Sequence, residues 1–232
     1  MGDLRIKTCV LGMVGTNCYI VYRDREAVII DPADNGEYIM RQCRELGVEP
    51  QAVLLTHGHF DHILAVEELK KRWNGSMTAC DSEAGDVGTD QHCRTLPVYA
   101  GEAEAALLED PALNLSTSFG HSFACRADRL IKDGETLRLL GLSWKVIATP
   151  GHTSGSVCYL VEEEDVLFSG DTLFAESLGR TDFPTGSSSE IVRSITEKLF
   201  ALADDVMVYP GHGEATTIGH EKQYNPVAAY RR

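Results

Sequence analysis

Four short apolar runs in this chain each stop at a glycine beside a histidine or an aspartate. This repeated pattern restricts the fold more than any other feature. Val53-Leu54-Leu55 leads into Thr56-His57-Gly58-His59-Phe60-Asp61-His62, and Val146-Ile147-Ala148 leads into Thr149-Pro150-Gly151-His152-Thr153. Val166-Leu167-Phe168 leads into Ser169-Gly170-Asp171-Thr172, and Val206-Met207-Val208-Tyr209 into Pro210-Gly211-His212-Gly213. Short β-branched runs bounded by glycine read as strands, and the glycine lets the backbone turn tightly after each one. Strand ends that deliver polar side chains to loops are how a rigid sheet presents a site. The chain must therefore fold so that these strand ends meet.

The side chains concerned are metal donors. Three histidines and an aspartate fall within residues 57–62, and imidazole nitrogen and carboxylate oxygen suit zinc, iron and manganese. Taken singly, His152 or His212 reads equally well as an ordinary loop histidine; the context they share with the first motif favours a metal site. The seven cysteines (Cys9, Cys18, Cys43, Cys80, Cys93, Cys125 and Cys158) are odd in number and form no C-x-x-C. Neither a disulfide framework nor a zinc ribbon is expected, and each cysteine reads as a small buried hydrophobe.

Composition narrows the setting. With 232 residues and 43% hydrophobic content, the chain can bury a substantial core without disulfides. A net charge of −14 and the lack of any Lys/Arg run argue against nucleic-acid binding, which needs a basic footprint. No segment has the apolar length of a membrane span. The opening Met1-Gly2-Asp3-Leu4-Arg5 lacks an apolar signal core, so a cytoplasmic protein is expected.

Periodicity predicts strands over residues 4–10, 19–22, 27–31, 52–55, 136–140, 144–148, 157–161, 166–169 and 206–209. Helical spacing covers residues 36–46, with Gly47 as C-cap, then 62–73 and 188–202. Residues 97–108 read as a strand followed by a helix. Residues 74–95 are rich in Gly, Ser, Thr and Asp with little periodicity, and are expected to form an exposed loop insertion. That stretch holds Cys80, Asp81, Asp86, His92 and Cys93, whose spacing enforces no convergence on a metal. Short strands mixed with a few helices suggest a layered α/β or α+β domain, taken as a single domain spanning residues 1–232. Asp31, at the end of a strand, has two readings: a partner behind a metal ligand, or a turn-forming Asp-Pro. His121 and His220 are left unassigned.

His57, His59, Asp61, His62, His152, Asp171 and His212 together resemble the metallo-β-lactamase superfamily, over about residues 15–225. Gly179-Arg180-Thr181-Asp182, the run Gly213-Glu214-Ala215-Thr216-Thr217-Ile218-Gly219 and Asn225-Pro226 are similar to its small glyoxalase II-like branch. The resemblance implies a four-layered αβ/βα sandwich with two divalent metal ions, zinc first, with iron or manganese as alternatives. His57, His59 and His152 would hold one ion, Asp61, His62 and His212 the other, and Asp171 would bridge them. Asp61 could also orient the attacking water. The implied reaction is hydrolysis of a small thioester or ester by a metal-activated water, with Arg180 and Lys222 as candidates to grip an anionic thioester.

One departure matters. Full-length glyoxalase II enzymes carry a C-terminal helical domain that supplies basic residues for glutathione, whereas this chain ends at Arg232. The competing reading is a persulfide dioxygenase-like oxidoreductase with a single iron. A β-lactamase is disfavoured by the lack of a cysteine in a ligand position and of a signal peptide. Oligomeric state is not legible.

Overall fold

The computed structural model describes residues 2–80 and 95–230; of residues 74–80 it describes the backbone path only. The described residues form fourteen strands and six α-helices. The first half runs β1 (Arg5–Leu11), β2 (Thr16–Arg23), β3 (Glu26–Ile30), α1 (Gly36–Leu46), β4 (Glu49–Leu54), α2 (Phe60–Ile63), α3 (Val66–Cys80), β5 (Val98–Gly101), α4 (Ala105–Glu109) and β6 (Arg129–Ile131). The second half runs β7 (Thr136–Leu139), β8 (Leu142–Ala148), β9 (Val157–Val161), β10 (Val166–Gly170), β11 (Leu173–Phe174), β12 (Ser177–Leu178), α5 (Ser188–Arg193), β13 (Met207–Pro210), β14 (Thr216–Thr217) and α6 (Ile218–Tyr224).

Two six-stranded sheets stack face to face. The first has order β1-β2-β3-β4-β5-β6 and the second β14-β13-β10-β9-β8-β7. Alternation along the strands explains why they stack. In β2, Tyr19 and Val21 point into the layer between the sheets, while Cys18 and Ile20 point outwards. In β9, Val157, Tyr159 and Val161 point inwards, while Cys158 and Leu160 point outwards. Both faces of both sheets are thus apolar and must be covered. Helices α1 and α3 cover the first sheet through Ile39, Met40, Val66 and Leu69, and the 188–202 segment covers the second through Ile191, Ile195 and Leu199. This is the four-layered αβ/βα sandwich of the metallo-β-lactamase fold. At its centre Phe168 packs against Tyr19, Trp144 and Tyr209, with ring centroids 5.3, 5.9 and 5.6 Å away.

Helix α1 starts at Asn35, whose side chain accepts from the Tyr38 N–H at 3.0 Å, and ends as expected at Gly47, in the left-handed region with φ 70°. The helical segments differ from the periodic reading in three ways. The predicted 62–73 helix is two helices, α2 and α3, separated by Leu64 and Ala65. Helix α3 runs on to Cys80, so the expected loop over 74–95 begins as helix, because backbone hydrogen bonding continues a helix whether or not its outer face is apolar. The rest of that stretch, residues 81–94 with Asp81, Asp86, His92 and Cys93, lies outside the described residues. The 188–202 segment changes its winding: α5 is followed by a π turn over Ser194–Lys198 and a 3₁₀ turn over Leu199–Ala201. Among the described residues, no helix is long and apolar enough to cross a membrane.

Candidate metal centre

The four strand ends singled out by the sequence do meet. β4 contributes from the first sheet, and β8, β10 and β13 from the second. The sheets are tied together at this edge by backbone and side-chain bonds. The Val157 N–H donates to the Thr56 carbonyl at 2.8 Å, the Asn17 N–H donates to the Gly211 carbonyl at 2.7 Å, and the Tyr159 hydroxyl donates to the Leu55 carbonyl at 2.8 Å.

Donor atoms of His57, His59 and His152 lie within 4.8 Å of one another, as do those of Asp61, His62 and His212, and those of His57, His62 and Asp171. Asp171 lies between the first two sets. Its Oδ2 is 3.5 Å from His152 Nε2 and 3.6 Å from His212 Nε2, and its Oδ1 is 3.5 Å from His62 Nε2. Asp61 Oδ2 is 3.4 Å from His62 Nε2 and 3.3 Å from His212 Nε2. All seven residues that the sequence pointed to are brought together.

Whether the donor set fits a cation can be tested on its unsatisfied atoms. His57 Nε2, His59 Nε2, His62 Nε2 and Asp171 Oδ1 are buried and make no hydrogen bond, although buried polar groups are nearly always paired. Four such atoms in one place fit divalent cations, and the mixed nitrogen and oxygen donors suit zinc, iron or manganese.

The electrostatics point the same way. Burial, and then neighbouring imidazoles, push His57 and His59 down, His59 to about 3, so this set presents neutral nitrogens ready to coordinate. In the other set burial is outweighed by carboxylates: Asp61, Asp171 and Asp31 raise His62 to about 10. Asp61 is held well below the usual carboxylate range, against burial, by His62 and by hydrogen bonds from His212 and Thr16. The carboxylates thus favour positive charge at their centre, which a metal ion would supply.

Residues behind the donors fix their orientation. Asp31 Oδ1 accepts from the Thr56 N–H at 2.8 Å, and its Oδ2 accepts from the Thr56 hydroxyl at 2.6 Å and lies 2.9 Å from His62 Nδ1. A carboxylate on Nδ1 leaves Nε2 free to face the centre. Asp31 is also the residue before Pro32 and sits at φ 48°; no turn is assigned at residues 31–33, and its contacts favour the reading of a partner behind His62. His152 Nδ1 lies 2.7 Å from the Arg180 carbonyl oxygen, which fixes that ring similarly.

Sequence reasoning missed three contributors. Thr16, read as part of a turn, opens β2 and donates its hydroxyl to Asp61 Oδ2 at 2.7 Å. Asn17 donates from Nδ2 to the carbonyls of Pro210 and Gly213, both at 3.0 Å, bracing the loop that carries His212. Glu104 is fully buried and accepts from the Thr153 hydroxyl beside His152. No local signal marked any of them, since their partners lie 45, 193 and 49 residues away.

The two substrate candidates separate. Arg180 lines the cavity above the donor set, yet its Nε and Nη2 donate to Asp182 at 3.0 and 2.7 Å. Lys222 is not among the lining residues: its ammonium donates to the Leu202 carbonyl at 2.7 Å and to Asp204 at 2.5 Å. Its placement on α6 holds it on the outer helical layer. His220, also on α6, lies 3.1 Å from Glu176.

Residues 11–212 match the metallo-beta-lactamase superfamily, and the chain belongs to that superfamily of metallohydrolases. A curated relative, the hydroxyacylglutathione hydrolase GloC of Haemophilus influenzae, is 33% identical over 90% of this chain and 91% of its own length. Among solved structures, BLEG-1 B3 metallo-beta-lactamase superposes with TM-score 0.83 at 37% identity, covering 96% of this chain and 98% of that one. TTHA1623, solved in a di-iron-bound form, gives 0.78 at 32% identity over 95% and 98%. ETHE1 from Myxococcus xanthus gives 0.73 at 28% identity over 97% and 85%.

Proposed function

We propose that this chain is a dinuclear metal-dependent hydrolase that cleaves a thioester or ester carbonyl, in the manner of glyoxalase II. The observation that carries the reading is Asp171, within 3.5–3.6 Å of histidines from both donor sets. In this reading His57, His59 and His152 would hold one ion, Asp61, His62 and His212 would hold the second, and Asp171 would serve both. Two divalent cations so held supply a water deprotonated near neutral pH and polarise the substrate carbonyl oxygen.

The remaining roles belong to the chain's own side chains. Asp61, tied by Thr16, orients the attacking water through its carboxylate. Asp31 and the Arg180 carbonyl hold the imidazoles of His62 and His152 in one tautomer each. The water oxygen bonds to the acyl carbon, the acyl–sulfur or acyl–oxygen bond breaks, and the leaving group takes up the proton. Zinc is the first expectation for both positions; the di-iron form of TTHA1623 keeps iron in the comparison. The name of BLEG-1 places a β-lactam among the carbonyl substrates to be assayed, and the competing dioxygenase-like reading adds oxygen uptake.

The test is metal content of protein purified without added metal, paired with turnover of S-lactoylglutathione, an uncharged acyl thioester and a β-lactam. The expected result is about two equivalents of metal and carbonyl hydrolysis. In Asp171→Ala, metal content should fall and turnover should drop at least about 10²-fold. One equivalent of iron with oxygen uptake on glutathione persulfide and no hydrolysis would overturn the proposal.

A further inference from the structure

Above the donor set lies a cavity of about 340 Å³, with His59, Asp61, His152, Asp171 and His212 on its floor. That is the small end of the range for ligand pockets. Its walls are apolar: Val14, Leu115, Phe119, Phe174, Leu178 and Phe183. The arrangement is built around the floor. Phe183 stands edge-on to His59 at 5.4 Å and to His152 at 6.2 Å, and Phe174 stands edge-on to His212 at 6.3 Å. Phe119 stacks on Phe60 at 4.4 Å yet keeps 44% of its surface exposed, as does Val14. Large apolar side chains held half open over a reactive floor gain free energy when a ligand covers them.

Basic side chains are scarce on the walls of the same cavity. Among the described residues, Arg180 is the one Lys or Arg lining the cavity. Its guanidinium is neutralised by Asp182 through two hydrogen bonds and lies 4.3 Å over the Phe183 ring. The net charge of −14 adds a long-range penalty on approaching anions. Among the described residues, carboxylates remote from the reacting carbonyl therefore meet no unpaired Lys or Arg on these walls, whereas an alkyl or aryl group finds five or six apolar side chains.

We infer that this cavity selects substrates by an apolar group: the acyl chain beside the scissile carbonyl is alkyl or aryl, and the substrate as a whole is uncharged. The inference rests on the hydrolase reading above and adds the substrate class. Phe119 and Phe183 are its specificity-determining residues.

The experiment measures kcat/KM of the metal-loaded protein on N-acetylcysteamine thioesters from acetyl to hexanoyl, with phenylacetyl, against S-lactoylglutathione. The expected result is a rise of about four-fold per methylene, the ratio equivalent to about 0.8 kcal/mol, until the cavity is full. In Phe119→Ala and Phe183→Ala that slope should flatten, the loss in kcat/KM growing with chain length and falling mainly on KM. A flat chain-length series with S-lactoylglutathione as the best substrate would overturn the inference and leave the hydrolase reading standing. If no thioester or ester is cleaved, the hydrolase reading fails and the inference, which rests on it, is overturned with it.

Discussion

Glu104 is the side chain whose place in this molecule is hardest to see from its neighbours in the chain. It follows β5 in a short 3₁₀ turn, is fully buried, and accepts from the Thr153 hydroxyl one residue beyond His152. Burial pushes its carboxyl up to about 7, against the hydrogen bond from Thr153, whereas in the unfolded chain it titrates near 4.5. The sign follows from proton counting. Below pH 4.5 both states carry the proton and Glu104 has no effect on stability. Between 4.5 and 7 the folded state holds a proton that the unfolded chain has released, so stability falls as pH rises and levels off above 7. The expected loss is on the order of 3 kcal/mol. Urea midpoints measured from pH 4.5 to 8 should show this decline in the parent and a flatter profile in Glu104→Gln. Parallel profiles would remove Glu104 as the source. At this scale the donors were legible because His57, His59, Asp61 and His62 sit within six positions. Thr16, Asn17 and Glu104 were not, because each acts through a contact that only the folded chain creates.

The elements place the donors through close backbone approaches. Gly151 precedes His152 with φ 142°, and a Cβ there would lie 2.3 Å from the backbone nitrogen of Ile191 on α5. The Gly151 carbonyl also accepts from the Ser187 N–H that caps this helix, at 2.8 Å. Gly151→Ala is therefore expected to push α5 from the second sheet and shift His152. A destabilisation of about 2–4 kcal/mol should appear in urea unfolding, with metal content falling in the same variant. Unchanged stability would mean that α5 moves aside freely. Gly211 makes the complementary approach in front of His212: a Cβ there would lie 2.1 Å from Asp171 Oδ1. The sequence marked both glycines as strand-end turns but carried no sign of what they pack against. It likewise marked residues 188–202 as one helical stripe, since Ile191, Ile195 and Leu199 keep the apolar spacing. The π turn at Ser194–Lys198 is a backbone event at which Ser194 donates its hydroxyl to the Pro150 carbonyl at 2.8 Å.

At the scale of the molecule, the donors couple the two sheets. One set combines His57 and His59 from the β4 loop with His152 from the β8 loop, and the other combines Asp61 and His62 with His212 from the β13 loop. A cation held by both sheets binds the folded state alone and stabilises it by mass action. With free metal at about 1,000 times its dissociation constant this amounts to about 4 kcal/mol per site, or roughly 8–16 °C in Tm for a chain of this length. Removing metal with a chelator should lower the Tm by that order in a calorimeter, and restoring zinc or iron should return it. An unchanged Tm would mean that the sheets hold together without the ions.

By itself the sequence determined the alternation of apolar faces that makes two stacked sheets with helices outside. It also singled out the seven side chains that the fold brings together at one edge, because strand period and donor chemistry are written in neighbouring residues. Only the tertiary structure decided that Asp171 stands between two donor sets, that Lys222 lies on an outer helix, and that aromatic rings wall the cavity. Those facts depend on residues tens to nearly two hundred positions apart. Their meeting is fixed by how the sheets pack, which no local pattern records.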